Sequence, residues 1–256
     1  SIQDITEEVM LKMTAFAHRE TGLRDLCLAG GVALNCVGNG RIKREGRFEH
    51  IWIQPAAGDA GGALGVALAL WHRFLGQDRT SPERAGTWQR SSPDGKPKYA
   101  DGMTGSFLGP RPTRSEIQAC IAREGLIARE LGPSEIADEV ARLLSEEKVI
   151  GLVQGRMEFG PRALGGRSII ADARSSKMQS ILNLKIKFRE SFRPFAPSVL
   201  REHVSEWFAL DDDSPYMLLV ADVAAAKRLP TPEGTAALWG IDKLDAPRSS
   251  VPAITH

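Results

Sequence analysis

Between Arg156 and Arg201 lie seven arginines (156, 162, 167, 174, 189, 193 and 201), three lysines (177, 185 and 187) and three acids, Glu158, Asp172 and Glu190. Their placing says more than their number. Phe159-Gly160-Pro161 sets a stiff turn directly before Arg162, and Ala163-Leu164-Gly165-Gly166 brings small residues up to Arg167. Further on, Lys185, Lys187, Arg189 and Arg193 are interleaved with Ile186, Phe188 and Phe192, and Pro194 and Pro197 stiffen the backbone after them. Guanidinium groups held by glycine, proline and aromatic packing suit bidentate recognition of phosphate or carboxylate. A basic face that only meets water needs no such stiffness.

Two glycine-bearing loops offer a second kind of chemistry. In Ala29-Gly30-Gly31-Val32-Ala33-Leu34-Asn35, backbone amides can approach a phosphate or ribose with no Cβ in the way, and a following helix adds partial positive charge. Asn35 is either an amide donor to a ligand or an exposed turn residue. In Gly58-Asp59-Ala60-Gly61-Gly62, Asp59 is placed to bind a cation or a nucleotide hydroxyl, or to cap its own helix.

Other chemistries find little support. The histidines (18, 50, 72, 203 and 256) never form an i, i+4 pair, so the chain carries no self-sufficient zinc or iron site. Cys27, Cys36 and Cys120 have no metal spacing and fit a reduced, cytoplasmic setting, with Cys27 expected as a buried thiol in its apolar run. With 33 Lys+Arg against 32 Asp+Glu, no global field steers the chain to nucleic acid or anionic lipid. Small phosphorylated ligands are therefore preferred over nucleic acid. No run reaches the ~18 apolar residues of a membrane span, and no secretory signal opens the chain.

The elements that must position these residues alternate in an α/β pattern. Ile5, Val9, Met10, Met13, Phe16 and Ala17 predict a helix over residues 3–20, with Thr6 as cap and Gly22 as stop. A buried strand at Leu26–Ala29, a helix over Val32–Gly38, a strand at Ile51–Ile53 and a tightly packed helix over Ala63–Phe74 come next. Two strand–glycine–helix units in series place both loops on one sheet edge. Polar, Gly and Pro residues mark 76–106 as a linker. Beyond it, helices are expected at Ser115–Glu124 and Pro133–Glu146, and a central strand at Val149–Val153. Both ends are abrupt, as in an excerpt of a longer protein.

Three blocks together resemble the nodulation and antibiotic O-carbamoyltransferases: Gly30–Asn35, Gln54–Gly65, and Gly155–Gly165 with Phe192-Arg193-Pro194-Phe195-Ala196-Pro197-Ser198. The resemblance implies part of an actin/Hsp70-like ATPase domain, similar to the tRNA threonylcarbamoyladenosine transferases, over 1–75. It implies part of a YrdC-like α/β domain, incomplete at the C-terminus, over 107–256. It further implies that carbamoyl phosphate and ATP give carbamoyl-adenylate and pyrophosphate, and that the carbamoyl group passes to a substrate hydroxyl with the help of iron or another divalent metal. On this sequence, Arg162 and Arg193 match positions holding carbamoyl phosphate, with Arg167, Lys187 and Arg189 as neighbours. Gly30, Gly31 and Asn35 match an adenosine-side loop, and Asp59 a metal- and nucleotide-contacting aspartate.

Two departures accompany the match. The family's His-x-x-x-His metal pair is absent, and so is the His-Val-Asp-Gly block expected beyond His256. The chain is therefore expected not to complete the reaction alone. Its acceptor, a hydroxylated small molecule, is not legible, and a homodimer stays open. A non-catalytic nucleotide-binding module and a tRNA-modifying enzyme are the alternatives.

Overall fold

The computed structural model describes residues 1–79, 89–91, 97–100, 102–211, 213–230, 234, 238–240, 243 and 246–255. Of the expected linker, 80–88, 92–96 and 101 lie outside these residues, as does His256. The chain divides into two compact units. One comprises Ser1–Arg111, Gln154–Gly166 and Asp213–Val220, the other Pro112–Val153, Arg167–Asp212 and Ala221–His256.

In the first unit, helix α1 (Ile2–Thr21) is capped by Ser1 rather than Thr6: the Ser1 hydroxyl accepts from the Asp4 amide while the Asp4 carboxylate reaches back to the chain terminus. Thr6 instead donates to the Ile2 carbonyl at 2.8 Å. Gly22, at φ 63°, ends the helix as expected. Of the expected apolar positions, Met10 is buried and Ala17 half-buried. Ile5, Val9, Met13 and Phe16 are exposed, whereas Met10 is buried with Glu7 and Thr14. The reason is local: α1 meets α2 (Cys36–Glu45) along the Met10 line, so closely that a Cβ on Gly38 would stand 2.6 Å from the Met10 sulfur.

Strands β1 (Asp25–Leu28) and β2 (His50–Ile53) pair in parallel, from Asp25 opposite His50 to Leu28 opposite Ile53. A 3₁₀ turn (Gly31–Leu34) and α2 connect them. The helix expected over Val32–Gly38 is thus broken at Asn35, whose backbone is extended (φ −75°, ψ 90°). Along β1 exposed and half-buried residues alternate, which leaves Cys27 exposed rather than buried. Helix α3 (Ala60–Ala69) comes after β2 and runs into one π turn, Leu70–Phe74. Tight packing was expected of it, yet none of its residues is fully buried, and Leu64 alone of the helix joins the core. A two-stranded sheet is too narrow to cover such a helix.

The core of this unit gathers Ala33, Ile53, Ala57, Met103, Tyr216 and Leu218. Trp52 meets Tyr216 edge-on at 6.1 Å. Asn39, wholly buried, stitches the core by donating to the carbonyls of Ala33 (2.8 Å) and Leu218 (3.0 Å). Strands β3 (Gln89–Ser91) and β4 (Pro97–Ala100) form a short antiparallel ribbon.

In the second unit, Thr113 and Glu116 build a capping box for α4 (Arg114–Arg123), and Pro133 starts α5 (Pro133–Ser145). Strand β5 (Ile150–Val153) pairs antiparallel with β6 (Arg167–Ile170), and among the described residues the sheet has these two strands. It is therefore no central strand: its residues alternate between half-buried and exposed, as one covered face dictates. Helix α6 (Met178–Ile181) passes into a π turn, Leu182–Ile186, and α7 (Val204–Trp207) lies further on. Met178, Leu182 and Ala253 form the buried cluster. The architecture is mixed α/β, and no described helix is long and apolar enough to cross a membrane.

Candidate functional site

Because β1 and β2 are parallel, the segments after them leave from the same end of the ladder. They are joined there: the Gly30 amide donates to the Ala57 carbonyl at 2.9 Å. Gly30 has φ 94°, a conformation that side chains rarely adopt, and no atom lies within 4 Å of where a Cβ would be on Gly30 or Gly31. Glycine is thus required at 30 by the turn itself, while the space around both residues is open. In the second loop, a Cβ on Gly61 would collide with the Ala56 carbonyl. Asp59 occupies the N-cap position of α3, but its side chain makes no capping bond and is exposed. The capping alternative for Asp59 is therefore not what its carboxylate does.

The segment Gln154–Gly166 belongs to this same unit. Gln154 and Gly166 close it with an amide-to-carbonyl bond of 2.9 Å. Glu158 shapes its interior: one carboxylate oxygen accepts from the amides of both Leu164 and Gly166, each at 2.7 Å. The Phe159 amide donates to Ser106 at 2.7 Å, and Phe159 and Leu164 pack on the core that holds Ala33 and Ala57. A Cβ on Gly160 would stand 3.3 Å from the Pro55 carbonyl. These restraints place Arg162 beside the first glycine loop, where its Nη2 donates to the Leu34 carbonyl at 3.0 Å. The Arg162 Nε is buried and has no hydrogen-bond partner among the described residues. A buried donor on a charged group that is left unsatisfied is costly.

The structure thus brings Arg162 together with Gly30, Gly31, Asn35 and Asp59 in one unit. Asn35 is neither a bare donor nor a solvent-exposed turn residue. Its Oδ1 accepts from the Gly38 amide at 3.1 Å, capping α2, and its Nδ2 donates to Gln3 at 3.0 Å. The liking of asparagine for helix N-caps was the signal available for that role.

Arg167, Lys187, Arg189 and Arg193 belong to the second unit. Arg167 and Lys187 are exposed. Arg193 pairs with Glu190 at 3.1 Å, and the Glu190 carboxyl is held below its ordinary range by its own backbone amide and by Arg193. Arg174 grips Asp172 with two nitrogens and holds that carboxyl low. Arg189 donates its Nε to Asn183 at 2.7 Å and lies 5.0 Å over the Phe195 ring. Glu158 and Asn183 are the contributors that sequence reasoning passed over. Their partners are mostly backbone groups, which leave no pattern in the residue types.

A divalent ion needs four or more donors. Among the described residues no group of three or more His, Cys, Asp or Glu is placed to hold one. Asp59 alone does not fit that requirement, so a metal would depend on donors beyond those described.

Two family models match the chain: the carbamoyltransferase N-terminus over residues 1–68 and the carbamoyltransferase C-terminus over residues 141–256. An uncharacterised protein of Synechocystis is 53% identical over all of this chain and 39% of its own length. The nodulation protein NolO of Bradyrhizobium diazoefficiens is 38% identical over 89% of this chain and 38% of its own length. The nodulation protein NolNO of Sinorhizobium fredii is 40% identical over 89% of this chain and 31% of its own. The chain therefore spans about two fifths or less of the curated relatives it matches. Matched at both ends by models of one family, with the glycine loops and the Arg162 segment gathered in one unit, the chain belongs to the carbamoyltransferase family.

Proposed function

We propose that this chain supplies anion-binding parts of an O-carbamoyltransferase that uses carbamoyl phosphate and ATP. The observation that carries this reading is the Arg162 Nε, buried beside the Gly30 loop with no hydrogen-bond partner among the described residues. One Nη2 bond to Leu34 fixes the guanidinium, so its remaining donors are pre-aimed at no cost of reorganisation. A phosphoryl group with several acceptor oxygens satisfies such a fork better than a neutral ligand does. The turn amides of Gly31 and Val32, which have no acceptor within the 3₁₀ turn, and the Asp59 carboxylate suit a nucleotide's phosphate and hydroxyl groups.

In this reading the carbamoyl phosphate C–O–P linkage is cleaved by water to carbamate and inorganic phosphate. A carbamate oxygen then bonds to the ATP α-phosphorus as pyrophosphate leaves. Carbamoyl-adenylate finally yields its carbamoyl group to a substrate hydroxyl, releasing AMP and a proton. Arg162 neutralises phosphate charge in the first unit; within the second unit, Arg193, Arg189, Lys187 and Arg167 are assigned to binding carbamoyl phosphate or ATP. The actin/Hsp70-like and YrdC-like domain identities, a cytoplasmic setting and a small hydroxylated acceptor belong to this proposal.

The experiment follows pyrophosphate release by the full-length enzyme from ATP and carbamoyl phosphate. Arg162→Ala is expected to slow release by roughly a hundredfold or more, the usual cost of one preorganised donor. Release at the wild-type rate would remove Arg162 from the mechanism.

A further inference from the structure

Asn183 is wholly buried on the π turn after α6, where it is surrounded by polar groups of the arginine-bearing segment. Its Nδ2 donates to the carbonyls of Ser191 (3.0 Å) and Arg193 (2.9 Å), and its Oδ1 accepts from Arg189 Nε at 2.7 Å. The Arg189 amide returns a bond to the Asn183 carbonyl at 2.9 Å, and Gln179 donates to the Arg193 carbonyl at 3.3 Å. Only a primary amide serves all three side-chain contacts, because two partners are acceptors and one is a donor. Between these contacts the backbone is strained: Phe188 has φ 48° and its side chain is exposed.

We infer that Asn183 is a positioning residue that fixes the Arg189 guanidinium for the phosphate of carbamoyl phosphate. This rests on the reading of Arg189 as an anion-binding residue. Asn183 takes up Nε, and Phe195 lies 5.0 Å from the guanidinium carbon under its face. The two Nη groups are left as the edge that meets the anion, so the geometry selects an end-on grip. A lysine at position 189 keeps the charge but has no Nε to be held.

The test measures KM for carbamoyl phosphate and kcat of pyrophosphate release in the full-length enzyme, with melting temperature alongside. Arg189→Ala and Asn183→Ala are each expected to raise KM about ten- to a hundredfold, the range for a charge-assisted hydrogen bond, with kcat moving less. In the double variant, Asn183→Ala is expected to add under about twofold, because its effect runs through Arg189. If Asn183→Ala fails to fold, Arg189→Lys decides without disturbing the buried amide: it is expected to match Arg189→Ala. A KM within about twofold of wild type for Asn183→Ala or Arg189→Lys, or multiplicative effects in the double variant, overturns the positioning role while leaving Arg189 as an anion ligand. An unchanged KM for Arg189→Ala sinks the anion reading itself, and the role of Asn183 with it.

Discussion

Removing the Glu158 carboxylate tests how the Arg162 segment is held in shape, independently of any assignment of activity. One Glu158 oxygen accepts two amide bonds of 2.7 Å, from Leu164 and Gly166. Each charge-assisted bond contributes about 1.5–3 kcal/mol when buried. The site is half-buried, so water replaces part of this, and a loss of about 2 kcal/mol for the pair is the expected net in Glu158→Ala. At about 1.4 kcal/mol per decade, local opening becomes roughly thirtyfold more frequent. Glu158→Gln keeps one acceptor oxygen without the charge and is expected to lose about half as much, a roughly fivefold change. Hydrogen–deuterium exchange of a peptide covering residues 158–166 reads this directly. A peptide containing Gly30, whose amide is held by Ala57, serves as the internal reference and is expected to move less than about threefold. If the 158–166 peptide exchanges at the wild-type rate in Glu158→Ala, the carboxylate does not organise the segment and the reasoning fails.

Two further predictions concern folding. Gly61→Ala drives a Cβ into the Ala56 carbonyl and is expected to cost about 1–3 kcal/mol, a fall of roughly 3–10 °C in melting temperature. At Gly62 a Cβ meets nothing within 4 Å, so Gly62→Ala in the same helix is expected to be neutral or slightly stabilising. Glu7 is held below its ordinary value of 4.5 by the Arg41 guanidinium at 2.8 Å and then by Gln3. Its contribution to stability is therefore complete above pH 4.5 and is lost as pH falls through its lower folded value. Denaturant midpoints measured from pH 7 to pH 3 should fall less steeply in Glu7→Gln than in wild type; parallel curves would refute the link.

What the sequence allows one to read is governed by how local the cause is. The alternation of strand, glycine loop and helix was legible because turn chemistry and periodicity act over a few residues, and the structure places the Gly30 and Gly58 loops at one end of a parallel pair as that pattern requires. Tertiary choices were not legible. Of the apolar positions read from the sequence, Ile5, Val9, Met13 and Phe16 are exposed, while Glu7 and Met10 face α2, where Arg41 meets Glu7 and Gly38 admits Met10. The arginine cluster was visible as composition, but which arginines are already engaged depends on single partners. Asp172 takes Arg174, Leu34 takes one arm of Arg162, and Asn183 takes Arg189 by its Nε.

The first unit is assembled from three separated stretches of chain, 1–111, 154–166 and 213–220. Asn39 bonds to Leu218 across 179 residues, and Tyr216 adds nothing to the core until it has been synthesised. On the ribosome, at about 5–20 residues per second, roughly five to twenty seconds pass between Arg111 and Asp213. Throughout that interval Ala33, Ile53, Ala57 and Met103 lack the residues that cover them, and for much of it the Gly30 loop lacks Arg162. The Arg162 segment and the core that supports it are thus completed late. A nascent chain reaching only to residue 150 holds α1, α2, β1 and β2 without Arg162, Tyr216 or Leu218 against them.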